Sequence, residues 1–446
     1  MTDWISTPGG ALRGEIRVPG DKSIAHRALM LAALADGTSR IGGVPEGTDV
    51  RTTARGLAQM GVRIDAPTAG ERVVQGVGMQ RLVPPPGPLD CGNSGTGMRL
   101  LAGLLAGQAF DSTLTGDASL SRRPMRRIVD PLTRMGAWID CGGDGTPPLR
   151  VHGGRTLHGI DYLSPVASAQ VKSTLLLAGL RARGGTTVDE PVPTRDHTER
   201  LLAAFHWPVV FGPGHASLEG GHRLQAADVG IPGDFSSAAF FITAATLVPG
   251  SDVLLRGVGT NPRRTGLLNV LRAMGADIEE RDRRLLGEEW SADLRVRHAA
   301  LRGVEVPIHE VVDMIDEFPI LFVAAAAAEG VTTIRGAGEL RVKESDRIAT
   351  MARGLRQLGI EVAERPDGAE INGSVLQGGS VECAGDHRIA MSLAVAGAVA
   401  RAPVHIADCT NVATSFPEFV ALSRECGMVL TEMAGSGVPS PPAINR

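Results

Sequence analysis

The chain has 446 residues, enough for two domains with full cores, and 43% hydrophobic and 21% charged residues, a mix typical of soluble globular proteins. A net charge of −4 disfavours a nucleic-acid or membrane-surface protein, although it leaves room for a local basic cleft. The longest apolar run, Pro319–Ala328, is too short to span a bilayer, and MTDWISTPGG lacks the basic and apolar regions of a secretory signal, so a cytoplasmic protein is expected.

The first informative element is a helix start. Val18–Arg27 reads V-P-G-D-K-S-I-A-H-R, and an apolar run from Ala28 to Ala35 follows, stopped by Asp36-Gly37. Asp21 or Ser23 suits the N-cap, and Gly37 suits the position just past the last turn. Lys22, Ser23 and Arg27 then lie on the first turns, where free N–H groups and the helix dipole favour an anion. Leu89–Arg99 is a glycine-rich turn that opens onto a helix over Met98–Leu105, with Gly92, Gly95 and Gly97 allowing close approach to the backbone. Ser119–Arg127 then places four Arg in six positions around Pro124. The proline pushes Arg123 into extended backbone, which singles it out as the ligand-facing cation.

Ser164–Leu177 follows, where Ser168, Gln170 and Lys172 alternate with Ala169 and Val171 at the start of a helix ending at Gly179. Two neutral donors and a cation suit a phosphate or a polyol. Arg195-Asp196-His197 offers a further cation from the next loop. In the second half, Asp316 precedes the apolar run, where burial would raise its pKa and make it an acid or base. Arg341–Arg347, R-V-K-E-S-D-R, places Lys343 and Arg347 on one face of a helix with Glu344 beside them. Gly385-Asp-His-Arg388 is another helix start carrying a cation, and the aperiodic segment 433–446 reads as a frayed tail.

Two repeats organise these elements. A helical run ending L-x-x-M-G before a short strand occurs at Leu57–Gly61, Leu132–Gly136 and Leu271–Gly275, with Leu358 replacing Met in Leu355–Gly359. Weaker copies end at Phe205-His206 and Cys426-Gly427, so the pattern recurs every 68–84 residues and gives six α/β units, each too long for a solenoid repeat. On the half-chain scale, Val18-Pro-Gly-Asp21-Lys-Ser23 is echoed by Ile231-Pro-Gly-Asp234-Phe-Ser236, an offset of 213 residues. The simplest architecture is two similar domains of three units: residues 20–230, and 1–19 together with 231–446. The chain crosses between them near residues 19 and 230, which makes a hinge suited to closing over a ligand.

Lysine usage adds a chemical signal. Of 45 Lys plus Arg, only Lys22, Lys172 and Lys343 are Lys, and each sits in a dense polar cluster. A lysine kept in an Arg-rich chain suggests a compact, titratable amine. The five cysteines (91, 141, 383, 409, 426) are widely spaced without C-x-x-C, and H-E-x-x-H, a Walker A loop and a complete G-x-G-x-x-G are absent, so reduced thiols and neither metal nor nucleotide cofactor are expected. Lys22, Arg27, Arg123, Lys172, Lys343, Arg347 and Arg388, with Asp316 and Glu344, are equipment for two polyanionic small molecules and a proton transfer.

PGDKSIAHRAL, GNSGTGMR, RRPM, SAQVKS, MIDE, RVKESDR, DHRIAM and TSFPEF resemble the 5-enolpyruvylshikimate-3-phosphate synthase family over residues 8 to 430, and SAQVKS with TRDHTE resembles its second bacterial branch. The resemblance implies an α/β fold of two globular domains, each of three βαβαββ units in an inside-out α/β arrangement, with the active site between them. It implies transfer of the enolpyruvyl group of phosphoenolpyruvate to the 5-hydroxyl of shikimate 3-phosphate, releasing phosphate by addition–elimination, without a cofactor. It implies Lys22 and Glu344 as acid/base groups at the enolpyruvyl carbon and Asp316 as acceptor of the hydroxyl proton. Lys22, Gly95, Arg123, Gln170, Arg347 and Arg388 would hold phosphoenolpyruvate. Lys22, Ser23, Arg27, Ser168, Ala169, Gln170, Arg195, Asp316 and Lys343 would hold shikimate 3-phosphate.

The chain departs from the family pattern where many members carry a Lys just before Phe-Pro; Thr414-Ser415 stand there. Gly95 is not the alanine associated with glyphosate insensitivity, which implies inhibition by that phosphoenolpyruvate competitor. The sibling family that acts on UDP-N-acetylglucosamine starts its motif Lys-Asn, against Lys22-Ser23 here, and uses a Cys acid on a loop that has none here. A non-catalytic polyanion-binding protein on the same scaffold is the alternative of another class, and it would be expected to lack Asp316, Glu344 or Lys22. A monomer acting on two small molecules, with no nucleic-acid or membrane partner, is expected.

Overall fold

The computed structural model describes residues 2–434. Among them the α-helices are α1 (Lys22–Leu34), α2 (Thr48–Gln59), α3 (Gly95–Leu105), α4 (Arg126–Arg134), α5 (Ala169–Gly179) and α6 (His197–Ala204). They continue with α7 (Phe235–Leu247), α8 (Gly266–Ala273), α9 (Phe318–Ala326), α10 (Arg347–Gln357), α11 (His387–Val399) and α12 (Phe419–Glu425).

The six-fold pattern marks one recurring device. Met60, Met135, Phe205, Met274, Leu358 and Cys426 are the C-cap residues of α2, α4, α6, α8, α10 and α12, and each is at most 1% exposed. The residue after each takes positive φ, from 60° at His206 to 105° at Gly275. One residue further on, an N–H reaches back to the last turn: Val62 to the Leu57 carbonyl at 3.2 Å, Ala137 to Leu132 at 3.0 Å, Ala276 to Leu271 at 2.9 Å. This is a Schellman stop, in which a left-handed residue satisfies the free carbonyls and turns the chain out of the helix. The chain leaves each stop into a strand, from Arg63–Asp65 in the first unit to Val429–Ala434 in the last.

Each of those strands forms the edge of its own small sheet, and there are six such sheets among the described residues. In the first, Asp36–Gly42 pairs antiparallel with Glu71–Val77, which pairs with Arg63–Asp65, while Val229–Gly230 adds a parallel strand from the far end of that half. In the fourth, Arg13–Ile16 plays the same part beside Asp252–Gly259. Thr2–Thr7 joins the sixth sheet between Val404–Ala407 and Val429–Ala434. The first half thus completes its opening sheet with a strand from its own far end, and the second half takes two strands from the start of the chain.

Helices α1, α3 and α5 are apolar on nearly every face and buried, as are α7, α9 and α11, so the helices lie inside and the sheets outside. A helix that is hydrophobic all round is one buried on all sides. Two cores result. One runs from Ile24 to Ile231, and the other takes Trp4, Leu12, Ile16 and Val18 together with Phe235 to Leu430.

The two crossing segments are bonded to each other. The Asp21 N–H donates to the Pro232 carbonyl at 2.9 Å, and the Asp234 N–H to the Pro19 carbonyl at 2.7 Å. Asp21 and Asp234 cap α1 and α7 with matching backbone angles (φ −62°, ψ 118° and φ −63°, ψ 118°), so the P-G-D echo is one local structure used twice.

Several local expectations are corrected. The first helix ends at Leu34, and Gly37 lies inside the strand Asp36–Gly42 rather than past a helix end. The glycine-rich segment turns earlier than expected: Ser94 is the N-cap of α3 and accepts from the Gly97 N–H, so Gly95 and Gly97 are the first helical turn. Lys343 and Arg347 do not share a helix face. Lys343 is in extended backbone, and Arg347 begins α10 behind the cap Asp346. Met433 and Ala434 are not frayed but pair with Asp3 and Thr2; residues 435–446 lie outside the described part.

Candidate active site

Between the two halves lies a cavity of about 410 Å³, lined by the starts of α1, α3 and α5 on one side. The starts of α10 and α11 and the turn before α9 line the other. Converging helix N-termini concentrate free N–H groups and positive dipole ends in one place. The side chains extend the same field. Nine cations (Lys22, Arg27, Arg99, Arg123, Arg127, Arg195, Lys343, Arg347, Arg388) face four carboxylates (Asp49, Asp316, Glu339, Glu344) in the lining.

All of the residues that the resemblance implied line this one cavity: Lys22, Ser23, Arg27, Gly95, Arg123, Ser168, Ala169, Gln170, Arg195, Asp316, Lys343, Glu344, Arg347 and Arg388. The chain places them by helix starts, because residues far apart in sequence stand at equivalent first turns of the repeated units. Lys172 is the exception among the singled-out cations. It lies on the inner side of α5, 2% exposed, paired with Glu190 and Glu199 at 2.8 Å each, so it grips no ligand. Val171 and Lys172 fall on the buried side of the helix, while Ser168 and Gln170 face the cavity.

Arg347 organises the carboxylates. Its Nε donates to Asp386 at 2.8 Å and its Nη2 to Glu344 at 2.6 Å, while Nη1 stands 3.7 Å from Asp316. That Nη1 is buried with no hydrogen-bond partner among the described residues, and so is Nε2 of His387. Arg388 donates to the Asp316 backbone carbonyl at 3.1 Å. From the opposite half, Arg123 approaches Glu344 at 3.3 Å, Arg195 bonds Asp316 at 3.0 Å and Arg127 bonds Glu339 at 2.8 Å. The halves are therefore held together across the cleft by ion pairs.

Burial would raise the Asp316 carboxyl, as the sequence suggested. Here Arg195, Arg388, Lys343 and Arg264 outweigh burial and hold it well below the usual carboxylate range. The expectation of a raised pKa is thus reversed by four cations from four different segments. Glu344 behaves likewise: burial opposes ionisation, but the guanidinium groups of Arg347 and Arg123 hold it well below its ordinary value. Lys343 moves down, chiefly through burial. His387 is also pushed well down, by burial and by Lys22 and Arg388, so it is a neutral imidazole.

The cleft also holds groups that sequence reasoning did not single out. Asp49, 27 residues from Lys22, receives its ammonium at 2.9 Å, and no local signal marks it. Arg99 donates to Gln170 at 2.5 Å, and Gln170 donates to Thr96 at 2.8 Å. Asn93 accepts from Arg123 at 2.8 Å. Asn93, Thr96 and Arg99 all sit inside the GNSGTGMR motif, which was read only for its glycines. Chemically, the cavity suits small polyanions, with the carboxylates of Asp316 and Glu344 and the primary amines of Lys22 and Lys343 in its wall.

The family model for EPSP synthase (3-phosphoshikimate 1-carboxyvinyltransferase) matches residues 6–422. A 3-phosphoshikimate 1-carboxyvinyltransferase from Xanthomonas campestris pv. campestris is 62% identical over 428 residues, covering 96% of this chain and 98% of the relative. One from Xanthomonas oryzae pv. oryzae is 61% identical over 434 residues, covering 97% and 98%. The solved structure of EPSP synthase from Acinetobacter baumannii superposes with a TM-score of 0.88 at 47% identity, covering 97% of this chain and 100% of that one.

Proposed function

The chain belongs to the EPSP synthase family, and from that premise we propose how its cleft divides the work of the reaction. The activity is that of a 3-phosphoshikimate 1-carboxyvinyltransferase of the shikimate pathway: the enolpyruvyl group of phosphoenolpyruvate passes to the 5-hydroxyl of shikimate 3-phosphate, and phosphate leaves. Lys22, Gly95, Arg123, Gln170, Arg347 and Arg388 bind phosphoenolpyruvate. Ser23, Arg27, Ser168, Ala169, Gln170, Arg195 and Lys343 bind shikimate 3-phosphate, with Lys22 and Asp316 touching it as well. The charge balance supports two such ligands. The lining carries five more cations than carboxylates, and two ligands, each with one carboxylate and one phosphate, bring about five to six negative charges.

In the addition step a proton goes to the methylene carbon of phosphoenolpyruvate while the 5-hydroxyl oxygen attacks the neighbouring carbon and loses its own proton. In the elimination step the methyl carbon returns a proton, phosphate leaves with the electron pair of its C–O bond, and the enol ether forms. We assign the hydroxyl proton to Asp316 and the carbon-centred transfers to Lys22 and Glu344. Asp316 is a poor base while unopposed cations surround it. The two bound anions offset Arg195, Arg388 and Lys343, which lets burial raise its affinity for a proton when substrate is present.

The observation that carries this assignment is Arg347, which contacts Glu344 and stands against Asp316, so that both carboxylates face one cavity from one half of the molecule. Lys22, Arg123 and Arg195 face them from the other half. We further propose that residues 20–230 form one domain, that residues 1–19 with 231–446 form the second, and that the enzyme works as a cytoplasmic monomer without metal or nucleotide. Glyphosate competes at the phosphoenolpyruvate subsite.

Phosphate release measured with both substrates, with each alone, and with Asp316→Ala tests the assignment. Release needs both substrates in the wild type and falls by about 10²–10⁴ in the variant, the range for a lost general base. Turnover that survives in the variant would move the base to Glu344 or Lys22.

A further inference from the structure

Lys172 is the one lysine of the chain's three that lines no part of the cleft. Its ammonium sits between two carboxylates, Glu190 and Glu199, with side chains 0% and 1% exposed. One ammonium serves two buried carboxylates, an arrangement that well-packed apolar residues often replace at no loss of stability. The ammonium is a compact point charge that meets two carboxylates with a single nitrogen at 2.8 Å, which a planar guanidinium does not reproduce.

What Glu190 holds explains the arrangement. Its second oxygen accepts from the Thr194 hydroxyl at 2.6 Å, and the oxygen that meets Lys172 also accepts from the Thr194 N–H at 3.2 Å. The loop Glu190-Pro-Val-Pro-Thr194 is thereby tied at both ends to one carboxylate, and Arg195 follows it directly. From there Arg195 crosses the cleft to Asp316 at 3.0 Å. Glu199, the other partner, lies on α6, so the same ammonium pins the helix that continues from Arg195.

We infer that Lys172 is a positioning residue for Arg195: through Glu190 and Thr194 it fixes the loop that presents this guanidinium to shikimate 3-phosphate and to Asp316. The inference rests on the proposed role of Arg195 as a ligand for that substrate. Lys172 touches no substrate; it sets where Arg195 stands before substrate arrives, and a displacement on the order of 1 Å in such a group lowers activity by up to about a hundredfold.

Lys172→Met alone would strand two buried carboxylates and endanger folding. The test is therefore Lys172→Met combined with Glu199→Gln, which removes the ammonium together with one of its two carboxylates. Steady-state KM for each substrate and the melting temperature are measured for this double variant, for Arg195→Ala, and for the two combined. The expected result is a KM for shikimate 3-phosphate raised about tenfold or more in the double variant, an unchanged KM for phosphoenolpyruvate, and little further rise when the change is made in the Arg195→Ala background. An equal rise in both backgrounds, or a lowered melting temperature with both KM values unchanged, overturns the inference and leaves Lys172 a structural residue. If Arg195→Ala itself leaves the KM for shikimate 3-phosphate unchanged, it is the proposed role of Arg195 that fails.

Discussion

Gly95→Ala separates the stability of α3 from the binding chemistry at its start. A Cβ built at Gly95 would stand 3.0 Å from Nη1 of Arg123 and 3.2 Å from Nη1 of Arg99, and its three nearest neighbours beyond its own helix are all side-chain atoms. Gly95 has an ordinary helical φ, so alanine adds no backbone strain, and helix propensity alone would favour it by up to about 1 kcal/mol. The guanidinium of Arg123 must move instead. Its Nη2 is held by Asn93 at 2.8 Å and the crowded Nη1 itself stands 3.3 Å from Glu344, so a shift of a few tenths of an ångström disturbs its aim at an incoming anion. A hydrogen bond to a charged group contributes about 1.5–3 kcal/mol, so its loss raises the KM for phosphoenolpyruvate roughly tenfold to a hundredfold. Steady-state kinetics with each substrate varied in turn, alongside thermal melting, measures both effects. The KM for shikimate 3-phosphate should hold, and the melting temperature should hold or rise. A KM for phosphoenolpyruvate within about twofold of wild type would mean that the Arg123 guanidinium does not face the ligand, and a fall of several degrees in melting temperature would mean that the helix rather than the side chain gave way.

Other consequences can be checked independently. Asp313, buried with Oδ1 unpaired among the described residues, is pushed up to about 6 by burial, against the pull of Arg263. A carboxyl raised in the folded state supports folding below its unfolded pKa, and that support is lost as pH rises through the folded value. Asp313→Asn should therefore gain on wild type by on the order of 2–3 kcal/mol between pH 4 and pH 8 in denaturant unfolding, and an unchanged difference would refute the shift. Asp316 and Glu344 work the other way: both are held low, so their contribution is present above the ordinary carboxylate pKa and declines as pH falls below about 4. Asp316→Asn should accordingly flatten the acid limb of a melting-temperature profile. Gly275 has φ +105° and only an ordinary 3.4 Å contact for an added Cβ, so Gly275→Ala isolates backbone strain and should lower unfolding stability by about 1–2 kcal/mol with unchanged turnover.

The repeat was legible in the sequence because its cause is local. A helix stop needs a buried residue at the cap, a left-handed residue after it and an N–H returning to the last turn, all within six positions. Five of the six copies use glycine at the left-handed place, and His206 at φ 60° is the sixth. The N-caps Asp21 and Ser168, the extended backbone at Arg123 and the helix starts at Lys22, Arg347 and Arg388 are equally local. Because the six units are alike, equivalent helix starts recur along the chain, and those of α1, α3, α5, α10 and α11 bring their residues to the one cavity.

What the sequence could not carry is whatever depends on several segments at once. Lys172 and Lys343 look alike in composition, yet Lys343 lines the cleft from extended backbone, whereas Lys172, two residues past Gln170 on α5, turns away from it and is enclosed by Glu190 and Glu199. Asp316 read alone is a carboxylate to be raised by burial; only the folded chain brings Arg195, Arg264, Lys343 and Arg388 around it and reverses the sign. The partners Asp49 for Lys22 and Glu339 for Arg127 lie 27 and 212 residues away and leave no periodic trace. Residue types, caps and turns follow from short-range sterics and hydrogen bonding and so are written in the chain, whereas charge balance is a sum over space, and only the tertiary structure supplies the distances.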